Sequence, residues 1–186
     1  MISQAGFSQS NIIISPVDQF DDQLLNLISG EIKSVFNCNT QITPLLQNID
    51  FALDQNREQY HSTLIIEQLA KTAPPYALKV IGITKKDLFI PILTYVYGEA
   101  QLGGKASIIS TNRLNEGISS SHTDPRFAQR VAKEAVHELG HTFNLRHCRE
   151  NTCVMHYGRG IEDVDKKSNQ LCGYCKVLLD DEIKRL

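Results

Sequence analysis

The chain has 186 residues, 41% of them hydrophobic, with 19 Lys and Arg against 21 Asp and Glu and a formal net charge of -2. That length and apolar content suit one domain with its own core, and the near-balance of charge, without any Lys/Arg run, argues against a nucleic-acid partner. The first thirty residues hold no Lys or Arg, so the basic start of a secretory signal is missing, and the apolar run Ile12–Ile14 is far too short to span a bilayer; a cytoplasmic protein with no membrane partner is expected.

Met1–Ser10 is polar and turn-rich. Asn11–Val17, with β-branched residues running together, predicts a buried strand. From Asp21 to Phe36 the apolar residues Leu24, Leu25, Leu27, Ile28, Ile32 and Val35 recur at helical spacing, and Asp21 and Asp22 sit where the helix dipole favours negative charge. Gln41–Thr43 and Asn48–Ala52 are short strand candidates around Pro44. Ser62–Lys71 predicts a second helix, ended by Pro74 and Pro75, and Tyr76–Thr84 the next strand. Strand, helix, strand, helix, strand is a crossover layout, which implies parallel neighbours under packed helices. Leu93–Glu99 and Lys105–Ser110 then flank a loop with Gly103 and Gly104 and are expected to pair antiparallel, one of them forming a sheet edge. Such an edge can receive an extended peptide. No repeat or low-complexity segment interrupts the chain.

Asp124 and Pro125 open the next predicted helix as N-cap and first helical residue, and Phe127, Val131, Ala135 and Leu139 form its apolar stripe. Within it lies His137-Glu-Leu-Gly-His141. Histidines four apart differ by only about 40° around a helix of 3.6 residues per turn, so both rings can reach one ion. Glu138 sits beside them, where a carboxylate can take a proton from water activated by zinc. His147, in an unbroken helix, would be rotated by about 240° from His141 and would face away. The helix must therefore stop, and Asn144, a residue that tolerates the left-handed conformation, is placed to stop it.

The cysteines follow. Cys38 stands alone and reads as a small buried apolar residue. Cys148 and Cys153, then Cys172 and Cys175, form C-x4-C and C-x2-C pairs. Two disulfides are the alternative, but a reducing cytoplasm disfavours them, and such spacing suits zinc. His61, His122 and His156 are assigned no role, although His122 would be the next candidate base after Glu138.

The run from His137 to His147 resembles the extended zinc motif of the metzincin peptidases. Its continuation through Cys148, Cys153-Val-Met155 and Cys172-Gly-Tyr-Cys175 resembles the archaemetzincins; Asp87–Leu114 is similar to the family's edge-strand region more loosely. One departure stands out, because the family pattern has glycine where this chain has Asn144. The resemblance implies an α+β fold: a mixed twisted sheet with flanking helices, a zinc-binding active-site helix and a cleft along the edge strand. It implies Met155 in a tight turn beneath a catalytic zinc held by His137, His141 and His147. It also implies a second, structural zinc on Cys148, Cys153, Cys172 and Cys175 that ties down the C-terminal segment. One peptidase domain is expected, with a sheet-and-helix part over about 11–144 and a C-terminal part over about 145–186. Tyr157, two residues after Met155, matches by spacing a tyrosine that in astacins and serralysins approaches the reacting carbonyl. The expected activity is zinc-dependent hydrolysis of peptide bonds in a peptide or protein substrate, with Glu138 as general base. The competing reading is a catalytically silent, zinc-stabilised interaction module, against which the intact Glu138 argues. A zinc-finger protein that binds nucleic acid is disfavoured by the acidic balance.

Overall fold

The computed structural model describes residues 11–119 and 124–186. Met1–Ser10 and His122 lie outside the described residues. In chain order the elements are β1 (Asn11–Pro16), α1 (Asp22–Phe36), β2 (Asn39–Ile42), β3 (Leu53–Asp54), β4 (Gln59–His61), α2 (Ser62–Thr72), β5 (Ala77–Thr84), β6 (Leu88–Phe89), β7 (Gly98–Ala100), β8 (Ala106–Ser110), α3 (Pro125–Thr142), α4 (Ile161–Lys166) and α5 (Gly173–Ile183).

The unbroken apolar run of β1 is explained by its neighbours. Ile12 and Ile14 join the core that α1 and α3 cover, while Ile13 joins the core under α2, so both faces of the strand are buried. The main sheet has the order β2-β1-β5-β8-β7. Its first four strands are parallel and β7 returns antiparallel to β8, which leaves β7 at the end of the sheet. This is a mixed α+β architecture, with α1 and α3 on one face and α2 on the other. Asp21 caps α1 through its side chain, which accepts from the Gln23 amide at 2.7 Å, and Asn37 ends the helix at φ 51°. Phe36 stacks on Phe143 with ring centroids 5.0 Å apart, locking the end of α1 to the end of α3.

Two expectations fail for long-range reasons. Asn48–Ala52 is not a strand: Asp50–Ala52 is a 3-10 turn whose entry is held by Asn48, with Ile49 and Ala52 packed in the α2 core. Of Leu93–Glu99, only Gly98 and Glu99 belong to a strand, in β7, because the Arg57 guanidinium donates to the carbonyls of Leu93 (2.8 Å) and Thr94 (3.0 Å) and the Gln59 amide to Thr94 (2.9 Å). Those side chains come from the small sheet β3-β4-β6, which sequence periodicity did not indicate. No helix among the described residues is long and apolar enough to cross a membrane.

Candidate active site

α3 carries His137, Glu138 and His141 on its sheet-facing side, with His137 and Glu138 buried. The helix ends as the sequence demands. Asn144 adopts φ 62°, its amide donates to the His141 carbonyl (2.9 Å), and the Leu145 amide donates back to Gly140 (3.0 Å). The Lys79 ammonium, itself buried, donates to the carbonyls of Thr142 and Gly104 at 2.7 Å each, placing a cation at the helix C-terminus. After this turn His147 comes back over the helix, and ligand atoms of His137, His141 and His147 lie within 4.8 Å of one another.

The hydrogen bonds of the rings define what they can bind. Nδ1 of His137 meets the Val154 carbonyl at 2.8 Å, and Nδ1 of His141 meets the Leu145 carbonyl at 2.7 Å. A carbonyl only accepts, so in both rings Nδ1 carries the proton and Nε2 presents a lone pair. The two Nε2 atoms face each other at 3.2 Å. Two acceptors at that distance have no proton to share, whereas a cation between them satisfies both, so the donor set fits zinc. Burial pushes the proton affinity of all three rings down, His147 to about 4 with His141, Lys167 and His156 adding to the effect. Neutral imidazole is the form a metal needs.

Glu138 lies against the edge strand. A Cβ at Gly98 would stand 2.6 Å from Glu138 Cγ and 2.7 Å from the Ile108 carbonyl, so only glycine lets β7 pass this close. Burial, and then the charge of Glu134, push the Glu138 carboxyl well above its usual range before a cation's opposing charge is counted. Gly140 has a matching reason: its Cβ would lie 2.4 Å from Met155 Sδ, so the glycine inside the histidine motif lets the buried Met155 sit directly beneath the helix. Tyr157 is half-exposed and places its ring 5.0 Å from that of His147. Glu138, Tyr157 and the three histidines line a cleft of about 390 Å³ roofed by β7. Another hollow, of about 450 Å³ between Phe20, Leu24 and Phe127, brings none of the metal-ligating residues together.

The sulfurs of Cys148, Cys153, Cys172 and Cys175 also lie within 4.8 Å of one another, and all are free thiols. Cys172 and Cys175 meet there because Cys172 caps α5 and Cys175 follows in its first turn. Backbone amides of Glu150 and Cys172 donate to the sulfurs of Cys148 (3.4 Å) and Cys153 (3.3 Å). Burial raises the Cys153 and Cys175 thiols, while a backbone amide of Cys175 lowers Cys172. Amide-supported sulfurs packed this closely without a bond between them suit a tetrahedral thiolate ion site. Cys38 is half-buried and apart from this cluster. His156 braces the cysteine segment: its Nδ1 meets the Cys148 carbonyl and its amide donates to the Cys153 carbonyl, both at 2.9 Å. His61 packs against Phe89 with the rings tilted by 55°, and it does not line the cleft.

Sequence reasoning missed Glu134 and Lys167, which form a buried ion pair (2.8 Å) at the inner end of the cleft. Glu134 was detectable in principle, since it lies one helical turn before Glu138; Lys167 had no local signal.

The profile of Peptidase family M54 matches residues 8–181. The chain is 37% identical over 170 residues to an archaemetzincin of Haloquadratum walsbyi, covering 89% of this chain and 97% of that one. It is 34% identical over 171 residues to that of Methanocaldococcus jannaschii, covering 91% and 93%. Among solved structures it is similar to archaemetzincin from Methanopyrus kandleri (TM-score 0.82, 26% identity, all of both chains). It is also similar to archaemetzincin from Archaeoglobus fulgidus complexed with malonate (TM-score 0.76, 30% identity, 90% and 99% covered).

Proposed function

Because the chain belongs to peptidase family M54, the archaemetzincins, and is a zinc-dependent peptidase, we propose that His137, His141 and His147 hold its catalytic zinc and that Glu138 is the general base. The observation that carries this is the facing pair of Nε2 atoms, 3.2 Å apart, with both Nδ1 atoms committed to carbonyls. When bound, zinc supplies Lewis-acid polarisation of a peptide carbonyl and acidifies water. The chain does the rest. Main-chain groups of β7 align an extended peptide along the cleft. Glu138 takes the proton of the attacking water and passes it to the leaving amine. The Tyr157 hydroxyl, at the cleft wall, donates to the oxygen that gains charge. The carbonyls of Val154 and Leu145 keep the histidine rings oriented.

Cys148, Cys153, Cys172 and Cys175 hold a second, structural zinc, giving two per chain. It fastens the C-terminal part, about 145–186, to the part over about 11–144. A thiolate zinc site persists in a reducing compartment, and we place the protein in the cytoplasm on that ground. The substrate is a peptide or protein.

The test is zinc quantification with a peptide-library cleavage assay on wild type and Glu138→Gln. Two zincs with cleavage that disappears in Glu138→Gln is the expected result. Cleavage that survives the substitution removes Glu138 as the base. Two zincs with no cleavage of any peptide would favour a silent interaction module.

A further inference from the structure

β7 is held from both faces, and only one of the two holds belongs to the zinc site. Gly98 turns toward α3, where Glu138 presses against it, so the next side chain, Glu99, turns to the opposite face, where α2 lies. There its carboxyl group meets the first two residues of α2. The Ser62 hydroxyl donates to Oε2, and the Thr63 hydroxyl lies 2.9 Å from Oε1 and 3.1 Å from Oε2. Ser62 is fully buried, and its hydroxyl is shared with the Phe89 carbonyl of β6 at 3.1 Å. His61, which precedes α2, makes no side-chain cap, and the first turn of α2 holds no acidic residue. The acidic group that the dipole of α2 favours arrives instead from β7, 36 positions beyond Thr63 in the chain.

The main-chain bonds of β7 show which of its groups face the cleft. The Ser110 amide donates to the Tyr97 carbonyl at 2.7 Å, and the Gln101 amide donates to the Ala106 carbonyl at 3.0 Å. Bonded and non-bonded pairs alternate along an antiparallel ladder, so Tyr97, Glu99 and Gln101 direct their main-chain groups at β8, and Gly98 and Ala100 direct theirs away from it. β7 ends the sheet, so those outward groups border the cleft.

We infer that Glu99 is a positioning residue for substrate: by fastening β7 to the start of α2, it holds the outward main-chain groups of Gly98 and Ala100 where an extended peptide pairs with them. The inference rests on the zinc-peptidase reading and adds a residue that the hydrolytic step does not use. β7 is only three residues long and is bonded to a neighbouring strand on one side alone. Before it, Arg57 and Gln59 hold the carbonyls of Leu93 and Thr94; after it, the Gly103 amide donates to the His141 carbonyl at 2.9 Å. Between those ties the strand itself has one side chain long enough to reach another element, because its other two residues are glycine and alanine. Hydrogen bonds to a carboxylate are stronger than those between neutral groups, so the strand and the start of α2 move as one body. A strand that shifts at this edge weakens its pairing with the peptide before and during the reaction alike, and such a loss appears in KM rather than in kcat.

The experiment uses the full chain loaded with zinc, a peptide that the wild type cuts, and copies of that peptide N-methylated at one amide at a time on either side of the cut bond. Glu99→Ala is expected to raise KM about fivefold to tenfold, the size of one hydrogen bond lost from binding, with kcat within about twofold of wild type. Glu99→Gln, which keeps an oxygen for the two hydroxyls, should stay within about threefold of wild type in KM. A methyl group on the amide that meets β7 should lower kcat/KM about tenfold in wild type and about threefold or less in Glu99→Ala, where that bond is already weakened. Thr63→Val, which keeps the shape of the side chain, should raise KM about twofold to threefold and add nothing to Glu99→Ala; it carries the test if Glu99→Ala does not fold. A folded Glu99→Ala with wild-type KM and the full methyl penalty overturns the inference. So does a fall in kcat common to Glu99→Ala and Glu99→Gln with KM unmoved, which would place the effect in the charge of Glu99 rather than in the strand. A wild type that cuts no peptide would remove the peptidase reading instead. The hold on β7 is then read by hydrogen exchange: Glu99→Ala should speed exchange of the β7 amides about tenfold and leave β1 and β5 unchanged, and equal exchange in β7 overturns it.

Discussion

His147 and Cys148 are adjacent in the chain yet belong to clusters that differ in what surrounds them. The histidines line a cleft, with Glu138 beside them, the Tyr157 ring against His147, and the edge strand β7 above. The four sulfurs have no carboxylate in their set and do not line that cleft; backbone amides and the first turn of α5 enclose them. The difference teaches that the ligand atoms alone do not decide what a metal does. A set of donors beside open space and a base is suited to chemistry, whereas a closed set of four thiolates is suited to holding segments together.

Substitutions can break this contrast from either side. The largest effect is expected at Glu138: Glu138→Ala should keep both zincs and lower kcat by about 10²–10⁴-fold, the range for a general acid–base group, measured by steady-state kinetics with metal analysis. Near-normal rates would require another base. On the closed side, Cys172→Ser should cost roughly 4 kcal/mol of stability, a fall in melting temperature on the order of 10 °C. Hydrogen exchange in α5 should rise, while peptide cleavage well below the new midpoint persists. An unchanged melting curve would contradict a stapling role.

Gly98→Ala sharpens the contrast within the open site. Its new Cβ would meet Glu138 and the Ile108 carbonyl. A base displaced by about 1 Å can cost about 10²-fold, so kcat should fall by that order with both zincs retained; an unchanged kcat would show that β7 does not position Glu138. Tyr157→Phe should have the smallest effect, a drop in kcat of about tenfold with KM and zinc content little changed, since one oxyanion donor is lost while the ring's packing stays. A variant as fast as wild type would leave Tyr157 as packing alone.

What was legible in the sequence was local. The helical period placed His137 and His141 together, the same period required a break before His147, and Asn144 provides it at φ 62°. The alternation of strands and helices through Thr84 indicated the parallel core. What was illegible depends on residues far apart in sequence. Arg57 and Gln59 hold the carbonyls of Leu93 and Thr94 and keep that segment out of the sheet, against its β-rich composition. Gly98 and Gly140 look like ordinary glycines until Glu138 and Met155 are seen pressed against them. The pairing of Glu134 with Lys167 spans 33 positions and leaves no periodic trace.

The division of labour between the two clusters is tested most directly by counting zinc per chain in wild type, His141→Ala and Cys172→Ser by native mass spectrometry, alongside melting curves and peptide cleavage. The account predicts two zincs in wild type. His141→Ala should lose about one zinc and all activity while keeping its fold, and Cys172→Ser should lose about one zinc and stability first. If both variants lose the same metal, fold and activity together, the two-site account is wrong.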